Sequence, residues 1–423
     1  MTGGAPDNLR TTCAPKGELD LKLLRAQFPV LSRDIRGKRL TYLDTGATAL
    51  KPLRVIAAVD RYYRTGTANI HRAVHLLSEE ATGLYEGVRA TAQAFINAAD
   101  EREIVFTTGT TGGINLVARS FVKPRVKAGD QILITCMEHH ANIVPWQMLR
   151  DETGCELVVA PVRDDGSLDL EAFKALIGPK TKFVSFVWTS NATGVINPVK
   201  DMIAAAKSAG VPVMVDAAQT VAHEAIDVQS LDCDFLVFSG HKLFGPTGVG
   251  ILYGRYSHLE AMPPIIGGGD MIKTVTFEKT VYADPPARFE AGTPDIASVI
   301  GLGEAMRFIQ EDVGFSAIQK HELKLLDQCE AALREIPGLR LIGTARPKAP
   351  VFSMVLDMIH PHDVGSILDT HGVAVRTGHH CTQPLLARFG VPATARASFS
   401  IYNGVDDIEA LVKALWKTKE LFA

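Results

Sequence analysis

The chain is 423 residues long and 46% hydrophobic, enough to bury a large core and to divide into two domains. A formal net charge of −3 argues against nucleic acid or an anionic membrane as a partner, and no apolar run is long enough to span a bilayer. The six cysteines (Cys13, Cys136, Cys155, Cys233, Cys329 and Cys381) show no CxxC pair and no framework spacing, which suits a reducing cytoplasm and offers no metal-ligand pattern.

Residues 1–20 read as a flexible segment, because Met1–Lys16 is rich in Gly, Pro, Asn and Thr and lacks a signal-peptide core. From about residue 100 to 255, apolar runs alternate with helical patterns. Strands are expected at Glu103–Thr107, Gln131–Thr135, Glu156–Pro161, Lys182–Val187, Pro212–Asp216, Phe235–Phe238 and Gly248–Tyr253. Helices are expected between them at Gly113–Phe121, Asn142–Arg150, Leu168–Leu176 and Val199–Ala209. That alternation predicts an α/β domain with a mostly parallel seven-stranded sheet. Residues 254–295 read as loop-rich, punctuated by Gly267-Gly268-Gly269 and Pro285-Pro286. A smaller α+β unit follows, with a long helical stretch from Ile300 to about Ile336 and a strand at Val351–Leu356. A helix from His362, a strand at Val373–Arg376 and a closing helix Asp406–Leu421 complete it.

The chemistry gathers at the expected strand ends. Thr107 to Gly113 joins a strand to a helix, where backbone amides, the helix dipole and the hydroxyls of Thr110 and Thr111 suit an anion; an ordinary N-cap is the alternative. Met137 to Asn142 follows another strand, and its His139 could lie on a planar group or be structural. Asn191 ends a third. Asp216 closes a buried strand, where a carboxylate wants a cation, such as a protonated pyridine nitrogen, or else caps the next helix; Gln219 is one turn on. Ser239-Gly240-His241-Lys242 ends the run Phe235–Phe238. A lysine there is a candidate Schiff-base amine, because burial disfavours the ammonium, unless it is simply a surface loop lysine. In open α/β sheets ligands bind at such strand ends.

Together these segments resemble the fold-type I pyridoxal-phosphate enzymes, specifically the SUF-type cysteine desulfurases of the class V aminotransferase family. Tyr42–Asp44, His71–His75, Gly109–Thr111, Met137–Gln147, Asp216–Gln219, Ser239–Lys242, Arg288–Pro294, Arg376–Cys381 and Ala393–Ser398 carry the resemblance, over essentially everything after residue 20. It implies a large pyridoxal-phosphate domain over 41–299 and a smaller one made of 21–40 and 300–423. It implies that Lys242 forms the Schiff base and moves the Cα proton, that Asp216 pairs with the ring nitrogen, and that His139 stacks on the ring. Gln219 and Asn191 would touch the ring hydroxyl. Thr110, Thr111, Ser239 and His241 would hold the phosphate, with Thr293 arriving from a second copy in a homodimer with shared active sites. Arg396, with Arg376 and Asn191 beside it, would clamp the substrate carboxylate.

The resemblance also implies that Cys381, on a loop from Arg376 to Gln383 and preceded by two histidines that would favour its thiolate, takes sulfur from L-cysteine as a persulfide and leaves alanine. The sulfur would pass to a SufE- or SufU-like acceptor and an iron–sulfur scaffold; selenocysteine lyase activity is the alternative. Two positions depart from the family's pattern. Thr45-Gly46 follows the early aspartate where Asn or Ser and then Ala are usual, and Trp188 stands where a histidine is frequent.

Overall fold

Seven strands between residues 104 and 254 form one sheet; the inner ones are apolar nearly throughout because both faces are covered, whereas the edge strand Glu156–Ala160 is largely exposed or half-buried. The computed structural model describes residues 13–14 and 17–422, so most of the expected flexible segment lies outside the described residues. The strands are β1 (Ile104–Thr107), β2 (Gln131–Thr135), β3 (Glu156–Ala160), β4 (Thr181–Val187), β5 (Val213–Asp216), β6 (Phe235–Ser239) and β7 (Gly250–Gly254), in the order β1-β7-β6-β5-β4-β2-β3. β7 is antiparallel to both neighbours and the remaining pairs are parallel. Two reversals restore the direction, so β1 and β6 point the same way. The C-terminal ends of β1, β2, β4, β5 and β6 therefore share one edge of the sheet.

The second unit has four antiparallel strands, β8 (Leu339–Ile342), β9 (Val351–Leu356), β10 (Arg376–Gly378) and β11 (Thr394–Ser398), ordered β8-β9-β11-β10. Leu325 and Leu333 from helix Phe315–Arg334, Leu368 from Pro361–Thr370 and Leu411 and Leu415 from Val405–Phe422 join Phe352 in its core. The single strand expected over Val373–Arg376 is divided. Val373–Ala374 pairs in parallel with Thr41–Tyr42, whereas Arg376 begins β10. The helical stretch expected from Ile300 starts at Ile296, and helix Ile296–Arg307 packs against Leu53–Arg61 and Leu76–Phe95, which lie in a region for which the sequence reading names no elements. The expected stretch is divided: a wider helical turn, Phe308–Val313, follows Arg307, and Gly314, with φ 85°, separates it from helix Phe315–Arg334. The expected loop-rich span also holds a hairpin, Ile272–Val275 with Thr280–Tyr282. Among the described residues no helix is long and apolar enough to cross a membrane.

Candidate active site

A cavity of about 550 Å³ opens where the C-terminal edge of the seven-stranded sheet meets the second unit. Thr110, Thr111, His139, Asn191, Asp216, Gln219, Ser239, His241 and Lys242 line it from the sheet; Arg376, Cys381 and Arg396 line it from the other side. Thr293 is the one expected site residue not among them. Within a single copy it lines a separate cavity of about 300 Å³, together with Tyr85, Thr108 and Gly112.

On the sheet side, positions follow from strand register. Asp216 lies opposite Val187 on β4 and Val237 on β6, and its Oδ1 accepts from the Ala218 N–H at 2.9 Å. Burial raises its pKa, against the pull of Lys242. Burial also pushes Lys242 down to about 8, although Asp216 favours the ammonium. A fraction of the amine is therefore neutral, and nucleophilic, near neutral pH. His139 is depressed to about 3 by burial and then by Lys242, and its Nδ1 accepts from the Ala141 N–H at 3.0 Å, which places the proton of the neutral ring on Nε2. His241 falls to about 4, by burial first and then by Lys242 and Lys51, so it acts as a neutral hydrogen-bonding group.

The β1–helix turn is fastened to β6. Gly109 has φ 91°, and Ser239 Oγ accepts from the Thr110 N–H at 2.8 Å and lies 2.9 Å from Thr110 Oγ1. A Cβ on Gly250 would stand 2.4 Å from the Phe238 carbonyl and 2.5 Å from Gly109 Cα, so only glycine permits that approach of β7. Two of the residues expected at the ring also bond protein through their amide nitrogens. Gln219 Nε2 donates to the Gly46 carbonyl at 2.8 Å, and Asn191 Nδ2 to the His380 carbonyl at 2.7 Å. Asn191 Oδ1 is buried without a partner, as is Arg396 Nε. These are polar atoms at the cavity with hydrogen-bonding capacity left for a bound group.

Across the cavity, Arg396 is almost fully buried. Its Nη1 donates to the Asn191 carbonyl at 2.8 Å, its Nη2 lies 3.4 Å from Asp44 Oδ1, and burial lowers its pKa to about 10. Arg376 forks onto both oxygens of Asp44, at 3.0 and 2.8 Å. Cys381 is exposed. The loop expected from Arg376 to Gln383 is shorter than the sequence suggests, since Arg376–Gly378 is β10 and Gln383 opens helix Gln383–Arg388. Of the two histidines before the thiol, His380 is engaged on one side only, its Nδ1 being buried without a partner. His380 is buried with its Nε2 on Thr394 Oγ1 at 2.7 Å, and burial holds it near 3.

Of the departures, Trp188 is core rather than cavity wall: its N–H donates to the Asp216 carbonyl at 2.9 Å. Thr45 Oγ1 bonds the Tyr402 hydroxyl at 2.6 Å, and a Cβ on Gly46 would press on the Arg396 guanidinium carbon at 3.3 Å. The sequence reading missed Glu138, although it stands in the Met137–Asn142 segment. Its fully buried carboxyl, pushed up to about 8 by burial, holds Asn142 Nδ2 at 2.6 Å and the Val187 N–H at 3.1 Å, tying the His139 turn to β4. It missed Asp44 as a partner of both arginines; an early aspartate carries no signal that two distant guanidiniums converge on it.

Residues 41–411 match the model of the aminotransferase class-V family. A cysteine desulfurase of Synechococcus elongatus is 49% identical over 94% of the chain, which spans 63% of that relative's length. A cysteine desulfurase of Serratia proteamaculans is 48% identical over 95% of the chain and 98% of the relative. Among solved structures, the cysteine desulfurase CsdA of Escherichia coli superposes with a TM-score of 0.89 at 39% identity, covering 95% of this chain and 99% of that one.

Proposed function

The chain belongs to the aminotransferase class-V family, and on that premise we propose that it is a pyridoxal-phosphate-dependent cysteine desulfurase: it converts L-cysteine to L-alanine and passes the sulfur on through Cys381. One observation carries the reading. An exposed thiol and a buried amine of lowered pKa, Cys381 and Lys242, line the same cavity. The residues suit the cofactor. A turn of amides and hydroxyls takes an anion, a buried carboxylate takes a ring cation, a partly neutral amine takes an aldehyde, and the stranded Asn191 Oδ1 and Arg396 Nε have polar groups to meet.

When bound, pyridoxal phosphate supplies the electron sink that makes a proton on the substrate Cα removable. Lys242 is the residue that carries that proton, at Nζ. Thr110, Thr111, Ser239 and His241 would hold its phosphate, Asp216 would keep its ring nitrogen protonated, and His139 would face its ring. Arg396 is the clamp for the substrate carboxylate, a task a guanidinium fork suits. Arg376 stands beside it, bridged through Asp44. Cys381 attacks the substrate sulfur: an S–S bond forms and the C–S bond breaks with its electron pair left on the carbon side; a proton at Cβ and return of the Cα proton from Lys242 Nζ then give alanine.

Thr293 belongs to the reading as a phosphate contact from a second copy, which makes the enzyme a homodimer with shared sites. The domains are those the resemblance implies, 41–299 against 21–40 with 300–423. The setting is the cytoplasm, with a SufE- or SufU-like acceptor and an iron–sulfur scaffold downstream. Cys381→Ala is expected to abolish sulfur release from cysteine while leaving cofactor absorbance intact. Alanine and sulfide formed at the wild-type rate would refute the role of Cys381. Turnover of selenocysteine alone by that variant would mark the lyase alternative.

A further inference from the structure

Cys381 is carried on a short turn whose two central residues both have left-handed backbone, φ 52° at His380 and 57° at Cys381. Non-glycine residues keep that conformation only where their surroundings over-determine it. Two carbonyl clamps do so here. The Asn191 side-chain Nδ2 donates to the His380 carbonyl at 2.7 Å, and the His140 backbone N–H donates to the Cys381 carbonyl at 2.7 Å. His140 then makes a second contact beyond the thiol, its ring Nε2 accepting from the Gln383 N–H at 3.2 Å. One residue of the β2 strand end thus holds the opposite unit at the cysteine itself and again two residues later. Accepting at Nε2 requires a neutral ring, and burial with His379 nearby keeps the His140 pKa below its ordinary value.

We propose that His140 is the positioning residue for Cys381, fixing the thiol at the cavity through the Cys381 carbonyl and the Gln383 amide. The inference rests on the reading of Cys381 as the sulfur acceptor and deepens it. The two adjacent histidines divide the work: His139 serves the cofactor side and His140 the thiol side.

The test uses the holoenzyme with His140→Ala, His140→Asn and Gln383→Pro. In His140→Ala the Gln383 amide is expected to exchange its hydrogen about tenfold faster, and kcat for cysteine to fall about tenfold with KM within about twofold. Asparagine, whose side-chain oxygen can accept, recovers part of both effects. Gln383→Pro deletes the donor at a first helical position, where proline is tolerated, and lowers kcat in the same way. Unchanged Gln383 exchange in His140→Ala, faster exchange with wild-type kcat, equal losses in the Ala and Asn variants, or wild-type kcat in Gln383→Pro each overturns the proposal. Cys381→Ala in parallel separates the failures. Turnover retained there sinks the functional reading, whereas turnover lost there but kept in His140→Ala sinks only the positioning role.

Discussion

The two walls of the cavity are held by different means. On the sheet side Asp216 and Ser239 end strands whose residues are all buried, and their places are set by register with neighbours on both sides. On the facing side the thiol is exposed, on a turn kept in shape by a few hydrogen bonds to carbonyls and one threonine hydroxyl. The contrast suits two tasks. In the proposed function, proton transfer would need a base fixed by a close-packed core, whereas a thiol taking sulfur from a bound substrate and yielding it to another molecule would need an accessible turn.

If the walls are independent, damage to one leaves the other intact. The largest effect is expected for Lys242→Ala: alanine formation falls by about 10³-fold or more, while the rate of Cys381 alkylation by iodoacetamide stays within about twofold. An equal disturbance of the alkylation rate would break the comparison. Next is a pH effect confined to the sheet side. With Lys242 brought down to about 8, the neutral amine falls about tenfold per pH unit below that value. Uptake of pyridoxal phosphate by the apo chain, followed by absorbance, is therefore expected to rise from pH 6 and level off above pH 8, by about a hundredfold in total. A flat profile from pH 6 to 9 would show that Lys242 is not the titrating amine.

Gly250→Ala drives a methyl into the Phe238 carbonyl and Gly109, and is expected to cost about 1–3 kcal/mol of stability by urea denaturation, again with Cys381 alkylation unchanged. The smallest effect falls on the thiol side. Thr394→Val removes the partner of His380 Nε2, costs about 1 kcal/mol and changes Cys381 alkylation severalfold without altering cofactor absorbance. Alkylation at the wild-type rate would mean that His380 does not shape the turn.

The same contrast governs what the sequence discloses. The sheet strands are legible because burial on both faces leaves uninterrupted apolar runs such as Phe235–Phe238, and the chemical residues stand just past them. Helix Leu76–Phe95 is not, because its buried face mixes Ala81, Val88 and Ala92 with Ser78 and Arg89. Arg89 is satisfied inside by Glu86 one turn back at 2.8 Å, by the Ile104 carbonyl at 2.8 Å and by Glu290, far along the chain, at 2.9 Å. The Cys381 turn is legible as a motif but not as a geometry. Its left-handed backbone depends on Asn191 and His140, from another part of the fold, and no local pattern announces either. The split of Val373–Arg376 between two sheets is likewise a tertiary choice that one short apolar run cannot encode.

Cysteine placement has a further consequence. Among the described residues Cys381 is the only cysteine lining the cavity; Cys13, Cys155, Cys233 and Cys329 are buried, and Cys136 is half-buried outside it. Burial pushes Cys13 and Cys233 up to about 12, so they stay protonated and poor nucleophiles. Under the proposed role, a sulfur atom on Cys381 would have no second cavity thiol to close an intrachain disulfide and discharge it as sulfide. The site would then be a one-thiol store, holding one equivalent per chain until an outside nucleophile takes it.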